Sequence, residues 1–383
     1  MERGQCPKYL WGVEVRYVEE FRQAEAVQTW VAAIAQRVTR PWTLMEVCGG
    51  QTHSIVRYGL DTLLPEGVTL LHGPGCPVCV TPGAVIDQAI AIAADPQVTI
   101  CSFGDMLRVP GDRQQSLQQA RAAGAQVQIV YSPLDAVAIA AKNRDRQVVF
   151  LAVGFETTAP ATALAIAQAQ QLGLDNFSIL LSHVRVAPAM VQLLEDPGCR
   201  IQAFLAAGHV CTVAGLADYP AIAQRYRVPI AVTGFEPLDI LQGIYTCIDQ
   251  LESERFEVVN CYGRAVQPGG NPAAQQWVER VFAIADQDWR GLGTIPEGGL
   301  QFQPAFEAFD ARRRFAIAET IEPAPVPDCM SGLVLQGQKQ PCDCPAFGRT
   351  CTPETPLGAP MVSSEGACAA YYRYRHSPVT MRA

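Results

Sequence analysis

Short apolar runs alternating with alanine-rich stretches over most of the chain limit its fold more than any other feature. The runs occupy 42–47, 68–71, 98–103, 127–131, 148–153, 178–181, 203–206 and 229–232. Strands that are apolar on both faces belong in covered parallel sheets, and spacings that leave room for a helix are those of βαβ units. The expected class is therefore α/β, with two parallel-sheet domains. Several runs end on glycine loops that carry polar residues: SFGDMLRVPG at 102–111, GFETTAP at 154–160 and GFEP at 234–237. Open α/β sheets bind ligands beyond the carboxyl ends of their strands, so these loops mark the functional edge.

The stretch LLHGPGCPVCVTPG at 70–83 carries the sharpest chemistry. Thr81 and Pro82 have the character of an N-cap and first residue for a helix over 84–94. Cys76 and Cys79 then lie just ahead of a helix N-terminus, where the dipole and unpaired N–H groups favour thiolate over thiol. A CxxC so placed ligates a soft metal or closes to a disulfide. The prolines and glycines around both thiols fix a backbone that inert packing cysteines would not require. A third cysteine, Cys48, leaves the run at 42–47 on CGGQTH and repeats this arrangement. His53 and His72 flank the cysteine turns, either orienting a thiolate and relaying a proton or making structural hydrogen bonds. Glu156 and Glu236, in the two GFE loops, fit ion pairing or helix capping as well as a catalytic role. Asp105 is either a loop cap or a site carboxylate.

A chain of 383 residues makes about two or three domains. The expected division is an N-terminal helical segment at 1–41, with a helix over 19–38, packing on the C-terminal part. An α/β domain at 42–145 carries Cys48 and the CxxC, a second α/β domain fills 146–268, and a smaller cysteine-rich iron–sulfur domain fills 269–383. In that last part GGNP at 269–272 caps a helix running to about 285, and regular alternation stops after Pro296. Hydrophobic content of 49%, charge of 17%, a net charge of −8 and a pI near 5.2 exclude a nucleic-acid or anionic-membrane surface as the main partner. No run approaches the roughly 20 apolar residues of a membrane span. The opening MERGQCPKYLWG lacks the apolar core of a secretory signal, so a cytoplasmic protein is expected.

That compartment keeps thiols reduced, so 14 cysteines speak for metal or redox chemistry rather than a disulfide framework. Cys329, Cys342, Cys344, Cys351 and Cys368 crowd into the last 55 residues. Cys101, Cys199, Cys211, Cys247 and Cys261 stand in apolar surroundings and read as core. The tail has neither paired zinc knuckles nor CxxCxxC nor CxxxCxxC, which leaves a dispersed all-thiolate set suited to an iron–sulfur cluster or zinc. The CxxC, which can use electrons, favours the cluster. GxSxG, HExxH, the P-loop and GxGxxG are all absent, so the simplest hydrolase, metalloprotease and nucleotide-driven classes lose their support.

These residues together resemble the HypD family of hydrogenase maturation proteins over nearly the whole chain. The matching blocks are MEVCGGQTHSI at 45–55, GPGCPVCVTP at 73–82, GFETTAP at 154–160 and CPAFGRTCTPETPLGAPMVSSEGACAAYYRY at 344–374. The resemblance implies two α/β domains, a cluster-bearing part and a redox-active assembly scaffold rather than a conventional turnover enzyme. It implies partners too: a HypC-type chaperone, a HypE-type cyanide donor and, indirectly, a hydrogenase large-subunit precursor. Cys48, Cys76 and Cys79 become the thiols that hold a transient iron carrying cyanide and carbon monoxide. Cys329, Cys344, Cys351 and Cys368 become ligands of a [4Fe-4S] cluster, with Cys342 able to exchange places with Cys344. Gln51 stands where the family usually has a histidine, and Pro360 where it commonly has a cysteine. A cluster-dependent thiol oxidoreductase acting on a partner's disulfide is the rival reading, and an interaction scaffold with structural zinc is a third.

Overall fold

The computed structural model describes residues 19–317 and 329–375. The apolar runs form two parallel sheets. The first contains β1 (Trp42–Glu46) and β2 (Val68–His72), the second β3 (Val98–Ser102), β4 (Gln126–Ile129), β5 (Gln147–Gly154) and β6 (Phe177–His183). The chain then returns to the first sheet with β7 (Ala203–Ala207), β8 (Ile230–Thr233) and β9 (Val258–Asn260). The strand orders are β2-β1-β7-β8-β9 and β4-β3-β5-β6. The α/β class is therefore as expected, but the division at 145/146 is not where the sheets part. It falls between β4 and β5, which share a sheet, while β1 pairs with β7 across the whole second sheet. Parallel pairing is non-local, so neighbours in sequence need not be neighbours in a sheet.

The register that sets Glu46 beside His72 aligns the carboxyl ends of β1 and β2, and Glu46 also lies opposite Leu205 of β7. The loops that follow these strands thus leave from one edge of the sheet. One face of the sheet buries Leu44, Leu70, Leu205 and Ile244 together with Val27 and Ile34. The last two belong to the helix Ala24–Arg37, which lies along the helix Pro237–Glu252 rather than on the C-terminal part, with Arg37 Nε 2.8 Å from Asp249 Oδ1. Its apolar stripe is matched by that of the partner helix, and this decides its packing.

The helix after Asn271 spans Pro272–Val281 and stops short of 285, because the chain turns there into an antiparallel hairpin of β10 (Phe282–Trp289) and β11 (Gly293–Phe302). Phe282, Leu300 and Phe302 pack with Phe150, Phe177 and Ile179, so the hairpin belongs to the body of the second sheet. Arg312 Nη1 donates to the Leu181 carbonyl at 3.0 Å, tying the following segment to β6. Cysteine-rich residues 329–375 contain a small apolar cluster of Ala346, Cys351 and Met361. Among the described residues they are not a free-standing domain, since the helix Ala367–Arg375 packs on the helix Gly49–Tyr58. No described helix is long and apolar enough to cross a membrane.

Candidate thiol site

Glu46, at the end of β1, organises the first thiol turn. Its carboxylate is fully buried, lies 2.8 Å from His72 Nδ1 through Oε1, accepts the Thr52 hydroxyl, and accepts the Cys48 N–H at 2.9 Å through Oε2. Burial raises its pKa, against the lowering effect of His72. A single side chain thus ties two strand ends to the first turn of the helix Gly49–Tyr58. His72 completes the set by placing Nε2 3.2 Å from the Tyr371 hydroxyl. It therefore acts on Cys48 only through Glu46.

Cys48 is the N-cap of that helix and is fully buried, with Sγ 3.6 Å from His209 Nδ1. Burial pushes the thiol up and pulls His209 down to about 4, so a neutral thiol faces a neutral imidazole. His209 and Glu46 are functional neighbours absent from the sequence expectations. His209 follows Gly208 directly at the end of β7, and the strand-end glycine pattern that singled out the cysteine turns applies to it as well.

The second thiol turn meets the first through backbone. Gly49 N–H donates to the Gly75 carbonyl at 2.7 Å and Gly73 N–H to the Glu46 carbonyl at 2.9 Å. A Cβ on Gly75 would fall 2.1 Å from the Cys48 nitrogen, so only glycine permits this approach. The CxxC forms its own helical turn, Pro77–Val80, with Cys76 as N-cap and the Cys79 N–H donating to Cys76 Sγ at 3.2 Å. The next helix begins at Gly83 with Pro82 as its cap, one residue later than Thr81 suggests. Cys76 and Cys79 are joined as a disulfide.

The other candidates lie in different settings. His53 contacts the Ser364 carbonyl (3.1 Å) and the Tyr374 hydroxyl (3.2 Å), not a thiol. Residues five apart on a helix differ by roughly 140° in direction, which turns His53 away from Cys48 and onto the C-terminal segment. Glu156 Oε1 accepts the Val186 N–H at 3.0 Å at the start of the helix Val186–Glu195, while its buried Oε2 has no partner. Burial raises its pKa to about 7. Glu236 caps the helix Pro237–Glu252 and accepts from Arg22 Nη2 at 2.8 Å. Asp105 is exposed on the turn Gly104–Arg108.

Cys329, Cys344, Cys351 and Cys368 line one small cavity of about 20 Å³, together with Pro360 and Met361. Cys342 is exposed and not part of this lining. Burial raises the Cys368 thiol, and the thiols of Cys329, Cys351, Cys344 and Cys342 add to the shift. No group of three or more His, Cys, Asp or Glu side chains among the described residues is arranged to hold a single metal ion. The turn Pro77–Val80 packs on Ala359–Met361, so the wall of this cavity is also the seat of the CxxC. A larger cavity of about 580 Å³, lined by Gln88, Asp286 and Arg312 among others, contains no cysteine.

Parallel strand ends bearing a free thiol and a CxxC, backed by a four-thiol cavity, define an α/β protein with two thiol-rich sites. Comparison with known proteins narrows this class. A family model named HypD, described as "Hydrogenase formation hypA family", matches residues 25–375. The chain is 47% identical over 373 residues to hydrogenase maturation factor HypD of Rhizobium leguminosarum bv. viciae, covering 94% of this chain and 96% of that one. It is 46% identical over 374 residues to HypD of Escherichia coli K12, covering 94% and 98%, and 45% identical over 370 residues to HypD1 of Bradyrhizobium diazoefficiens, covering 94% and 97%. The chain belongs to the HypD family of hydrogenase maturation factors.

Proposed function

We propose that this chain is the cytoplasmic scaffold on which the Fe(CN)2CO centre of [NiFe]-hydrogenases is assembled. It would work with a HypC-type chaperone and a HypE-type cyanide donor, the hydrogenase large-subunit precursor receiving the product. The observation that carries this reading is the backbone contact between the Cys48 and CxxC turns, which sets these thiols on one sheet edge. Soft thiolates suit an iron that also carries cyanide, and here that iron is cargo. Glu46 holds the Cys48 amide, fixing the direction of the first thiol.

Cys329, Cys344, Cys351 and Cys368 fit a [4Fe-4S] cluster by their shared cavity and purely thiolate character. Such a cluster, when bound, supplies electrons one at a time. The Cys76–Cys79 disulfide takes up two electrons and two protons to become a dithiol. Returning those electrons to a partner's thiocyanate breaks its S–C bond, releases cyanide to the iron, leaves the partner thiol and restores the disulfide. Serine at Cys48, Cys76 or Cys79 is expected to abolish hydrogenase maturation while leaving the unfolding midpoint near that of the wild type. Full maturation by any of these variants would sink the assembly-site reading. Anaerobic purification should yield a coloured protein with about four irons; one zinc and no iron would rule out the cluster.

The seat of the disulfide on the cavity wall also favours the rival, a thiol oxidoreductase that reduces a partner. Cys48→Ser separates the two, because an oxidoreductase would keep its partner reduction without that thiol.

A further inference from the structure

The tip of the β10–β11 hairpin is wedged between the two thiol sites. Arg290, just past the end of β10, donates its backbone N–H to the Val80 carbonyl, Nε to the Thr81 carbonyl and Nη2 to the Pro110 carbonyl, each at 2.8 Å. The first two acceptors are the residues that leave the CxxC. On the other side, Gly291 adopts φ +82° and approaches Gly332 so closely that a Cβ on Gly291 would lie 2.7 Å from the Gly332 Cα. Gln336 Nε2 donates to the Gly291 carbonyl at 2.7 Å and locks this contact. Gly332 stands three residues beyond Cys329. The hairpin tip therefore touches the exit of the CxxC and the segment that brings the first thiol to the cavity.

The guanidinium bonds carbonyl oxygens here, and among the described residues no carboxylate bonds it directly. Burial is the largest influence on the guanidinium and works against its charge, while Asp112, Cys329 and Asp87 favour that charge through the field. A cation held at the exit of a thiol pair, as here on the residues that follow Cys79, favours the reduced state, because reduction creates groups that can bear negative charge. Two side-chain bonds to carbonyls hold this cation at the exit of the CxxC.

We infer that Arg290 is a positioning residue that sets the reduction potential of the Cys76–Cys79 pair, by fixing the CxxC exit and holding a positive charge beside it. The inference rests on Cys76–Cys79 being the electron-exchanging pair. The full chain, purified anaerobically, is equilibrated in glutathione buffers of stepped potential, and the pair is read by alkylation and peptide mass. Arg290→Met is expected to lower the reduced-to-oxidised ratio about tenfold, about 30 mV for a two-electron couple. Arg290→Lys keeps the charge and should stay close to wild type. Asp112→Asn removes a negative charge acting on Arg290 and should move the ratio the opposite way; this variant decides the sign if Arg290→Met fails to fold. Unchanged ratios in Arg290→Met and Asp112→Asn, with unfolding midpoints preserved, overturn the inference. Equal shifts in Arg290→Met and Arg290→Lys also overturn it, since the role would then be structural. A pair that stays fully oxidised or fully reduced across the buffers, in wild type as in the variants, would instead defeat the electron-exchange reading itself.

Discussion

At Gly75 the missing side chain does the positioning. Adding one methyl group would press it against the backbone of Cys48, which cannot yield as a flexible side chain would. Gly75→Ala is expected to cost about 1–3 kcal/mol, read as a lowered urea midpoint, and to halt maturation although every thiol is still present. His183 makes a second test. It is buried at the end of β6, with Nε2 2.9 Å from Thr162 Oγ1 and Nδ1 3.2 Å from the Gly154 carbonyl, and burial lowers its pKa from 6.5 to about 4. Between those values the unfolded chain binds a proton that the folded one refuses, so stability falls as pH drops from about 6.5 towards 4. The contribution is at most about 3 kcal/mol. His183→Gln should flatten that acid limb, as urea midpoints at pH 7, 5.5 and 4.5 would register; an unchanged slope would refute it. Cys48, Cys76 and Cys79 stood out by spacing and glycine context, whereas in the tail spacing gave only a dispersed group of five cysteines, and the choice of Cys329, Cys344, Cys351 and Cys368 rested on the family resemblance. Glu46 did not stand out, because a carboxylate that ends an apolar run looks like any exposed strand terminus until its register partner His72 is known.

Buried strands such as β3, β5, β6, β7 and β8 announced themselves because both faces are covered, which leaves a largely apolar run, whereas β4 is an edge strand with three of its four residues exposed. The hairpin did not announce itself. In β10 exposed or half-exposed positions separate Phe282 from Trp289, and β11 contains Pro296 and paired glycines. Its burial comes from distant parts of the chain, Phe282, Leu300 and Phe302 against the second sheet and Trp289 and Ile295 in the cluster that includes Met45 and Phe204, partners no local pattern can specify. The helix Ala24–Arg37 was legible as a helix, but its partner was not, since an apolar stripe says how much it must cover and not what. Ile34 is fully buried in that stripe. Ile34→Ala is expected to cost about 2–5 kcal/mol while leaving iron content and the reactivity of Cys76 and Cys79 unchanged. Loss of iron in a variant that stays folded would mean that this helix communicates with the thiol edge.

The two sheets are interleaved in the sequence, which makes the molecule harder to cut than its domain-like halves suggest. A fragment covering 42–145 contains β1 and β2 without β7, and β3 and β4 without β5. Fragments 42–145 and 146–268, made separately, should each lack cooperative unfolding by circular dichroism. A sharp transition in either would show that one sheet stands without the strands it lacks.

The same interleaving orders events on the ribosome. Cys48 and the CxxC are synthesised early, but β7, which pairs with β1 and leads to His209, emerges only after the entire second sheet. Nascent chains carry these thiols with the neighbouring strand still missing, so Cys48 is at that stage not yet faced by His209. Until translation has passed β7, the thiol that the folded chain buries completely stands without its neighbouring strand.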